Sequence, residues 1–545
     1  MHAGIPSRAR RAVGALAAVA LLAACGSTAR AASATPVVAT APPGSSAGPG
    51  VDPAAEAGKL LTVPAADITA ENAKPGAKHW RLTHPAGPGE LEGYADHVSV
   101  LPGQSFALYV STTAAHFTVH AFRAGWYGGD RAREVWTSQP VAGEKQAPAK
   151  EIRATLTDYA PWKPSLTVTT TDWPAGSYLL RLDGDNGKQS WVPITVRTPS
   201  VAGRVVLIKE VTTEQAYNLW GGRSLYLGKD RTFGSRARAV SFDRPYGATN
   251  GAALFFHDEL ALVSLAERQA IPVAYATDIE LDADQHYLDG ARAVISEGHD
   301  EYWSRAMRAT VRRGLDAGVN LAFFGANEVY RKIRFGPTAL GDRRLEIDYK
   351  IVNEDPLFGK KGQEDLVTGN WRDQPAADPE STLAGSMYAC FPGDNPMVIE
   401  DADSWIWAGA GVHNGQKLRG AVGIEYNHIS LNWPTPRPIE ILAHSPSTCD
   451  GRPSFADASY HVEPSGAGVF DAGTMRWVCA LRHCGPKTDA SSGPILSRAT
   501  LNILRAFAVG PAGKTHPAKD FTKQNLAHPP VRGAVEPEED TADVR

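Results

Sequence analysis

The run Arg204-Val205-Val206-Leu207-Ile208-Lys209-Glu210 constrains this chain most, because its apolar centre shows no alternation between inside and outside. Such a stretch fits a strand buried on both faces, the pattern of a parallel sheet with helices on either side. The residues that follow keep the theme. Ala252 to Gln269 reads as a helix, Val273 to Thr277 and Ala291 to Ser296 as strands, Ser304 to Ala317 as a helix, and Val319 to Phe324 as a strand. Strands alternating with helices predict βαβ units and a doubly wound α/β sheet. From about Arg343 to Gly510 the texture is irregular, with many Trp, Gly and Asn; it reads as the continuation of the sheet with long surface insertions, closed by a helix over Ser497 to Ala508.

Upstream the texture differs. Phe106 to Val110, Phe117 to Phe122, Leu166 to Thr170 and Tyr178 to Leu182 are short, rich in β-branched and aromatic residues, and separated by Gly and Pro. That spacing predicts an immunoglobulin-like β-sandwich, which Asp183-Gly184-Asp185-Asn186-Gly187 and Trp191 to Val196 close with a final hairpin. The expected organisation is therefore multidomain β plus α/β, with a sandwich over 85–198 and an α/β domain over 199–511.

The ends carry different signals. Arg8, Arg10 and Arg11 precede an apolar run from Val13 to Ala24, too short to span a bilayer but suited to an export signal over 1–24. Its end, Leu22-Ala23-Ala24-Cys25, resembles the lipobox of bacterial lipoproteins, so Cys25 is expected to carry a lipid anchor on the extracytoplasmic face of the cell membrane. Residues 25–84 begin as an Ala/Pro/Gly/Ser tether, and 512–545 form a polar tail containing the acidic run Glu536 to Asp540. Lys and Arg number 55 against 59 Asp and Glu, a net charge of -4 without a basic run in the body; nucleic acid is excluded as a partner. The other cysteines, Cys390, Cys449, Cys479 and Cys484, lack zinc-site spacing and read as two disulfides. Three connectivities are open, and Cys390–Cys449 with Cys479–Cys484 is preferred because the second pair closes a short loop.

In an open parallel sheet, ligands bind beyond the carboxyl ends of the strands. Those ends are followed here by Thr212 to Asn218, by Asp278, by Gly298-His299-Asp300-Glu301-Tyr302-Trp303, and by Gly325-Ala326-Asn327-Glu328. His299 and Glu301 share a face if their loop is extended, which would put an imidazole and a carboxylate in one site. The alternative is that Asp300 and Glu301 cap the next helix. A Gly-x-Ser-x-Gly elbow, a His-Glu-x-x-His helix and a phosphate-binding glycine fingerprint are all missing, which argues against serine hydrolase, zincin and dinucleotide chemistry.

Gly125-Trp126-Tyr127-Gly128-Gly129, Gln215-Ala216-Tyr217-Asn218 with Trp220-Gly221-Gly222 and Ser224-Leu225-Tyr226, Asp243-Arg244-Pro245-Tyr246, Gly298 to Trp303 and Val319 to Asn327 together resemble the N,N-dimethylformamidase large (beta) subunit-like family. The resemblance implies a sandwich joined to an α/β domain similar to class I glutamine amidotransferases. It also implies hydrolysis of a linear amide by metal-activated water, with one iron held by two tyrosines and a glutamate. Carried over, Glu301 is the glutamate, Tyr217 one tyrosine, and Tyr226 the other, with Tyr246 as its rival. His299 stands beside Glu301 as an acid/base group, Asn327 orients substrate, and Glu425 in Gly423-Ile424-Glu425-Tyr426 is a further catalytic candidate. The enzyme that names the family works with a small partner subunit, whereas this chain carries its own export signal. Its expected substrate is a small or envelope-derived amide, and a homo-oligomer is left open. The rival reading is a non-catalytic envelope protein that binds glycan through Trp371, Trp405, Trp407 and Trp433.

Overall fold

The computed structural model describes residues 67–482 and 489–521. The expected export signal, Cys25, the first part of the expected tether, the acidic run and Cys484 lie outside them.

After a short helix at 67–72, the N-terminal half is built mainly of strands, β1 (Leu91–Ala95), β2 (Ser105–Thr112), β3 (His116–Ala124), β4 (Ala132–Thr137), β5 (Leu166–Thr169), β6 (Gly176–Gly184) and β7 (Gln189–Val196). One antiparallel sheet runs β7–β6–β3–β4 and the other β1–β2–β5. Alternation decides what each face buries. Phe106, Leu108 and Val110 of one sheet pack against Phe117, Val119, Tyr178, Leu180, Val192 and Ile194 of the other, each large side chain contributing about 1.5–3 kcal/mol on burial. The opposite face of the second sheet is also apolar. Its Phe122, Leu179 and Trp191 belong to the core that continues into the C-terminal half.

That half is built on β8 (Val205–Lys209), α1 (Val211–Tyr217), α2 (Leu260–Arg268), β9 (Val273–Thr277), β10 (Ala293–Ser296), β11 (Tyr302–Ser304), α3 (Arg305–Asp316), β12 (Asn320–Phe323), β13 (Arg331–Thr338), β14 (Gly341–Ile347), β15 (Ile439–Cys449), β16 (Arg452–Val462), β17 (Gly468–Asp471) and α4 (Ser492–Val509). The main sheet is ordered β9–β8–β10–β12–β17–β16–β15. Its first five strands are parallel, while β16 and β15 return antiparallel. Both faces are covered, as the unbroken apolar run requires. Val205 and Leu207 point to the side of α2 and α4, while Val206 and Ile208 point to the side of α3, whose Met307, Val311 and Leu315 recur every fourth residue.

Three expectations need correction. The helix over Ala252 to Gln269 is not continuous: a π-helical turn at Phe255–Glu259 precedes α2. The region after Arg343 is not only sheet continuation, because β14 joins β13 and β11 in a second, smaller sheet. The closing helix is longer than expected, at Ser492–Val509. Cys390 and Cys449 are joined, and Cys479 is also disulfide-bonded. No helix among the described residues is long and apolar enough to cross a membrane.

Candidate active site

The strand order turns at β8, whose neighbours β9 and β10 both come later in the chain, and the crevice there opens at the carboxyl ends of the strands. α1 starts directly after β8, fixed by Asp278 Oδ2, which accepts from the Thr212 amide at 2.9 Å and from its hydroxyl at 2.5 Å. Tyr217 is the last residue of that helix. The chain then turns at Trp220–Gly222 and brings Tyr226 back alongside, the two rings stacked 4.5 Å apart.

The loop after β10 supplies the carboxylate. Its extended backbone is pinned by the Glu301 amide donating to Thr213 Oγ1 at 3.0 Å and by the Val329 and Arg331 amides donating to the Asp300 and Glu301 carbonyls at 2.9 and 2.8 Å. Alternation then sends His299 and Glu301 one way. Asp300 turns away and accepts from the Trp303 indole at 2.7 Å. Neither acid caps α3, since Ser304 does so by accepting from the Met307 amide.

Three oxygens meet here. Tyr217 Oη lies 2.7 Å from Glu301 Oε2 and 2.8 Å from Tyr226 Oη, and Tyr226 Oη lies 2.9 Å from Glu301 Oε2. Tyr226 and Glu301 are buried, and Tyr217 is half-buried. His299 closes the group, with Nε2 3.3 Å from Tyr217 Oη, 3.4 Å from Glu301 Oε2 and 3.8 Å from Glu425 Oε2. Its Nδ1 faces the Ala326 carbonyl at 3.0 Å; a carbonyl only accepts, which assigns a proton to Nδ1. Asn327 is held at φ 58 by its amide donating to Asn427 Oδ1. Asn327 Oδ1 and Glu425 Oε2 are buried without a hydrogen-bond partner among the described residues.

The charges are arranged to match. Burial pushes the Glu301 carboxyl up, but Lys350, His299 and Arg331 outweigh it and hold the group at about 2. Burial pulls the His299 imidazole down, yet the Glu425 and Glu301 carboxylates raise it to about 10. Glu425 is driven up to about 7 by burial and by Glu301, against the pull of His299. The result is an imidazolium between two acids, one firmly ionised and one able to exchange a proton near neutrality.

The donor set fits a small hard cation. Two phenols and a carboxylate offer hard oxygens, and their separations match the edges of about 2.8–3.0 Å expected for an oxygen shell with bonds of about 2.0–2.1 Å. Groups of three His, Cys, Asp or Glu able to hold a metal are absent among the described residues; the donors that converge are phenols. Tyr246 does not join them. It lines a cavity of about 30 Å³ with Lys209, Gln215 and Arg244, at the seam with β7.

Several residues here carry no sequence signal. Arg331, at the start of β13, reaches Glu301, and Lys350, in the loop after β14, reaches Tyr302, without a motif around either. Tyr302 lies in the Gly298 to Trp303 motif, where the sequence assigns a role to His299 and to Glu301 and none to Tyr302. The His257–Asp258 pair, bonded through Nδ1, lies on the π-helical turn that reads in sequence as plain helix. The tryptophans of the rival reading disperse: Trp371 and Trp407 are buried in two different cores, and Trp405 stacks on His516.

A largely parallel sheet covered on both faces, with a cluster of phenols, a carboxylate and an imidazole at its strand ends, defines an α/β protein with a polar site in its crevice. The chain belongs to the N,N-dimethylformamidase beta subunit-like family: the family's C-terminal region matches residues 118–490. No curated protein matches the chain. Among solved structures, a cycloisomaltooligosaccharide glucanotransferase from Paenibacillus sp., complexed with cycloisomaltoheptaose, is 14% identical over 35% of this chain and 27% of that one. Its TM-score of 0.14 is too low for any conclusion about fold or function.

Proposed function

We propose that this protein hydrolyses a linear amide at the Tyr217, Tyr226, Glu301 and His299 cluster. The observation that carries the reading is the meeting of three hard oxygens within 2.7–2.9 Å of one another beside a charged imidazole. Tyr217, Tyr226 and Glu301 would hold a single metal ion, iron by the family resemblance. Bound there, such an ion polarises the amide carbonyl and acidifies a water.

The chain's own groups do the rest. Glu425 Oε2 takes the proton from the attacking water, which its position near neutrality permits. The same carboxyl returns that proton to the amide nitrogen as the C–N bond breaks, leaving a carboxylic acid and an amine. His299, charged and buried, stabilises the negative charge that builds on the carbonyl oxygen. Asn327 Oδ1 accepts from an N–H of the substrate and fixes which face of the amide meets the water.

The architecture is read as an immunoglobulin-like sandwich ending near residue 198 and an α/β domain similar to class I glutamine amidotransferases, supported by the two packed antiparallel sheets and by the order of the main sheet. The Leu22 to Cys25 motif supports a lipid-anchored protein at the outer face of the membrane, taking a small or envelope-derived amide.

The test is metal content and visible absorption of the protein freed of its leader. About one iron per chain, with a phenolate-to-metal band that Tyr217→Phe and Glu301→Ala both abolish, is the expected result. A chain that hydrolyses amides with neither metal nor band, and whose activity survives both substitutions, would sink the reading.

A further inference from the structure

The Asp243-Arg244-Pro245-Tyr246 motif has no part in the chemistry above, yet one of its side chains reaches the stretch of chain that joins the two phenols. Tyr217 ends α1, and the connector that leads from it to Tyr226 turns through Gly221 and Gly222 at φ 85 and 103. Glycine backbone is permissive, so contacts from outside the connector decide where Tyr226 returns.

Arg244 is 1% exposed and directs all five of its N–H groups to that connector. Nε donates to Gln215 Oε1 at 2.9 Å, Nη1 to the Trp220 and Arg223 carbonyls at 3.2 and 3.0 Å, and Nη2 to the Gln215 and Asn218 carbonyls at 3.2 and 3.0 Å. The planar fork thus grips the end of α1 and the far side of the turn at once. It also places a cation at the carboxyl end of the helix, where the backbone dipole favours one. The rest of the motif adds to the grip. Asn218 Oδ1 accepts from the Trp220 and Gly247 amides at 3.1 and 3.0 Å, which turns its Nδ2 to the Pro245 carbonyl at 2.9 Å. The Leu225 amide closes the connector on itself by donating to the Ala216 carbonyl at 2.9 Å. Arg244 ties that closed loop to the second sheet, since it follows a strand, Ala239–Ser241, that pairs with β14.

We propose that Arg244 is a positioning residue, which fixes the return of Tyr226 over Tyr217 and thereby the 2.8 Å between their hydroxyl oxygens. This rests on the metal reading of the cluster. Ligands must stand within a fraction of an ångström of their places, and groups that orient them from outside count heavily in metal affinity. Lysine cannot replace this arginine. Its three donors share one nitrogen on a flexible stem, so at least two of the five bonds are lost.

The experiment is a titration of the intact, metal-free protein with ferric iron, followed by the phenolate-to-metal band, with hydrogen exchange of the amides over 216–226 measured before iron is added. Wild type is compared with Arg244→Lys and Gln215→Met, and with Arg308→Lys as a control, a buried arginine of α3 that donates to the Pro379 carbonyl and to Thr382 Oγ1. Arg244→Lys should speed exchange over 216–226, lower the affinity for iron by about 10–100-fold and weaken the band per bound iron. Gln215→Met removes one acceptor and keeps the bulk of the side chain, so it reports, by a smaller change in the same direction, even if Arg244→Lys does not fold. Arg308→Lys should lower the melting temperature and leave band and affinity as they are. Iron bound by Arg244→Lys and by Gln215→Met with wild-type affinity overturns the proposal while leaving the metal reading intact. A wild type that takes up no iron with such a band overturns both.

Discussion

Asp355 is a side chain whose ionisation the fold can be held to. It receives two bonds from Arg334, at 2.6 and 3.1 Å, and the amides of Leu357 and Thr368 at 3.0 and 2.9 Å. Burial pushes its carboxyl up, but the guanidinium and the amides win and hold it below the ordinary range. A carboxyl depressed by folding adds stability above its unfolded value of about 4 and loses it as pH falls through the folded value. The gap in thermal midpoint between wild type and Asp355→Asn should then be constant above about pH 5 and narrow on acidification. A gap that does not change with pH would contradict this. At this scale the sequence was informative where residues are close in the chain. His299 and Glu301 were readable as a pair because alternation alone aims them together. Lys350 and Arg331 were not, since Arg331 approaches from β13 and Lys350 from the loop after β14, which no local pattern announces.

Among elements, the loops after β10 and β12 are closely fitted to each other. A Cβ at Gly325 would overlap the Gly298 carbonyl, and one at Gly298 would overlap Asp258. Gly325→Ala must therefore push the two loops apart, at a cost of about 1–3 kcal/mol. Because His299 follows Gly298 directly, amide hydrolysis should fall by more than the stability loss explains, with the folded fraction checked by thermal melting. Full activity in a folded Gly325→Ala protein would show that this contact does not set the site. Strands β8, β9, β10 and β12 of the main sheet were legible because an unbroken apolar run has few alternatives, whereas β15, β16 and β17 lie in the irregular region and were not. The interruption before α2 was not, because a π-helical turn keeps the composition of a helix. The second tyrosine of the cluster was legible only as a choice between Tyr226 and Tyr246, and the turn at Trp220–Gly222 is what folds the Tyr226 ring back over Tyr217.

For the whole molecule, the junction of the two halves rests on an ion pair inside the protein. Arg123 of β3 reaches Glu267 of α2 at 2.5 Å, both side chains almost fully buried, and Tyr275 donates to the same carboxylate at 2.6 Å. Removing one partner of a buried pair leaves an uncompensated charge and costs about 3–5 kcal/mol. Arg123→Met should lower the denaturant midpoint accordingly, and adding Glu267→Gln should recover part of the loss. Equal losses in the single and double variants would show that the charge itself is not what matters. The junction also governs how the chain comes into being. Phe122, Leu179 and Trp191 form an apolar outer face that α2 covers, yet Leu260 follows Trp191 by 69 residues. At roughly 5–20 residues per second, a nascent sandwich would wait about 3–14 s for α2, with Trp80 from upstream packed on Trp191 but the rest of that cover not yet made. The first half of this protein is thus an unfinished surface during synthesis, and the second half serves as its chaperone.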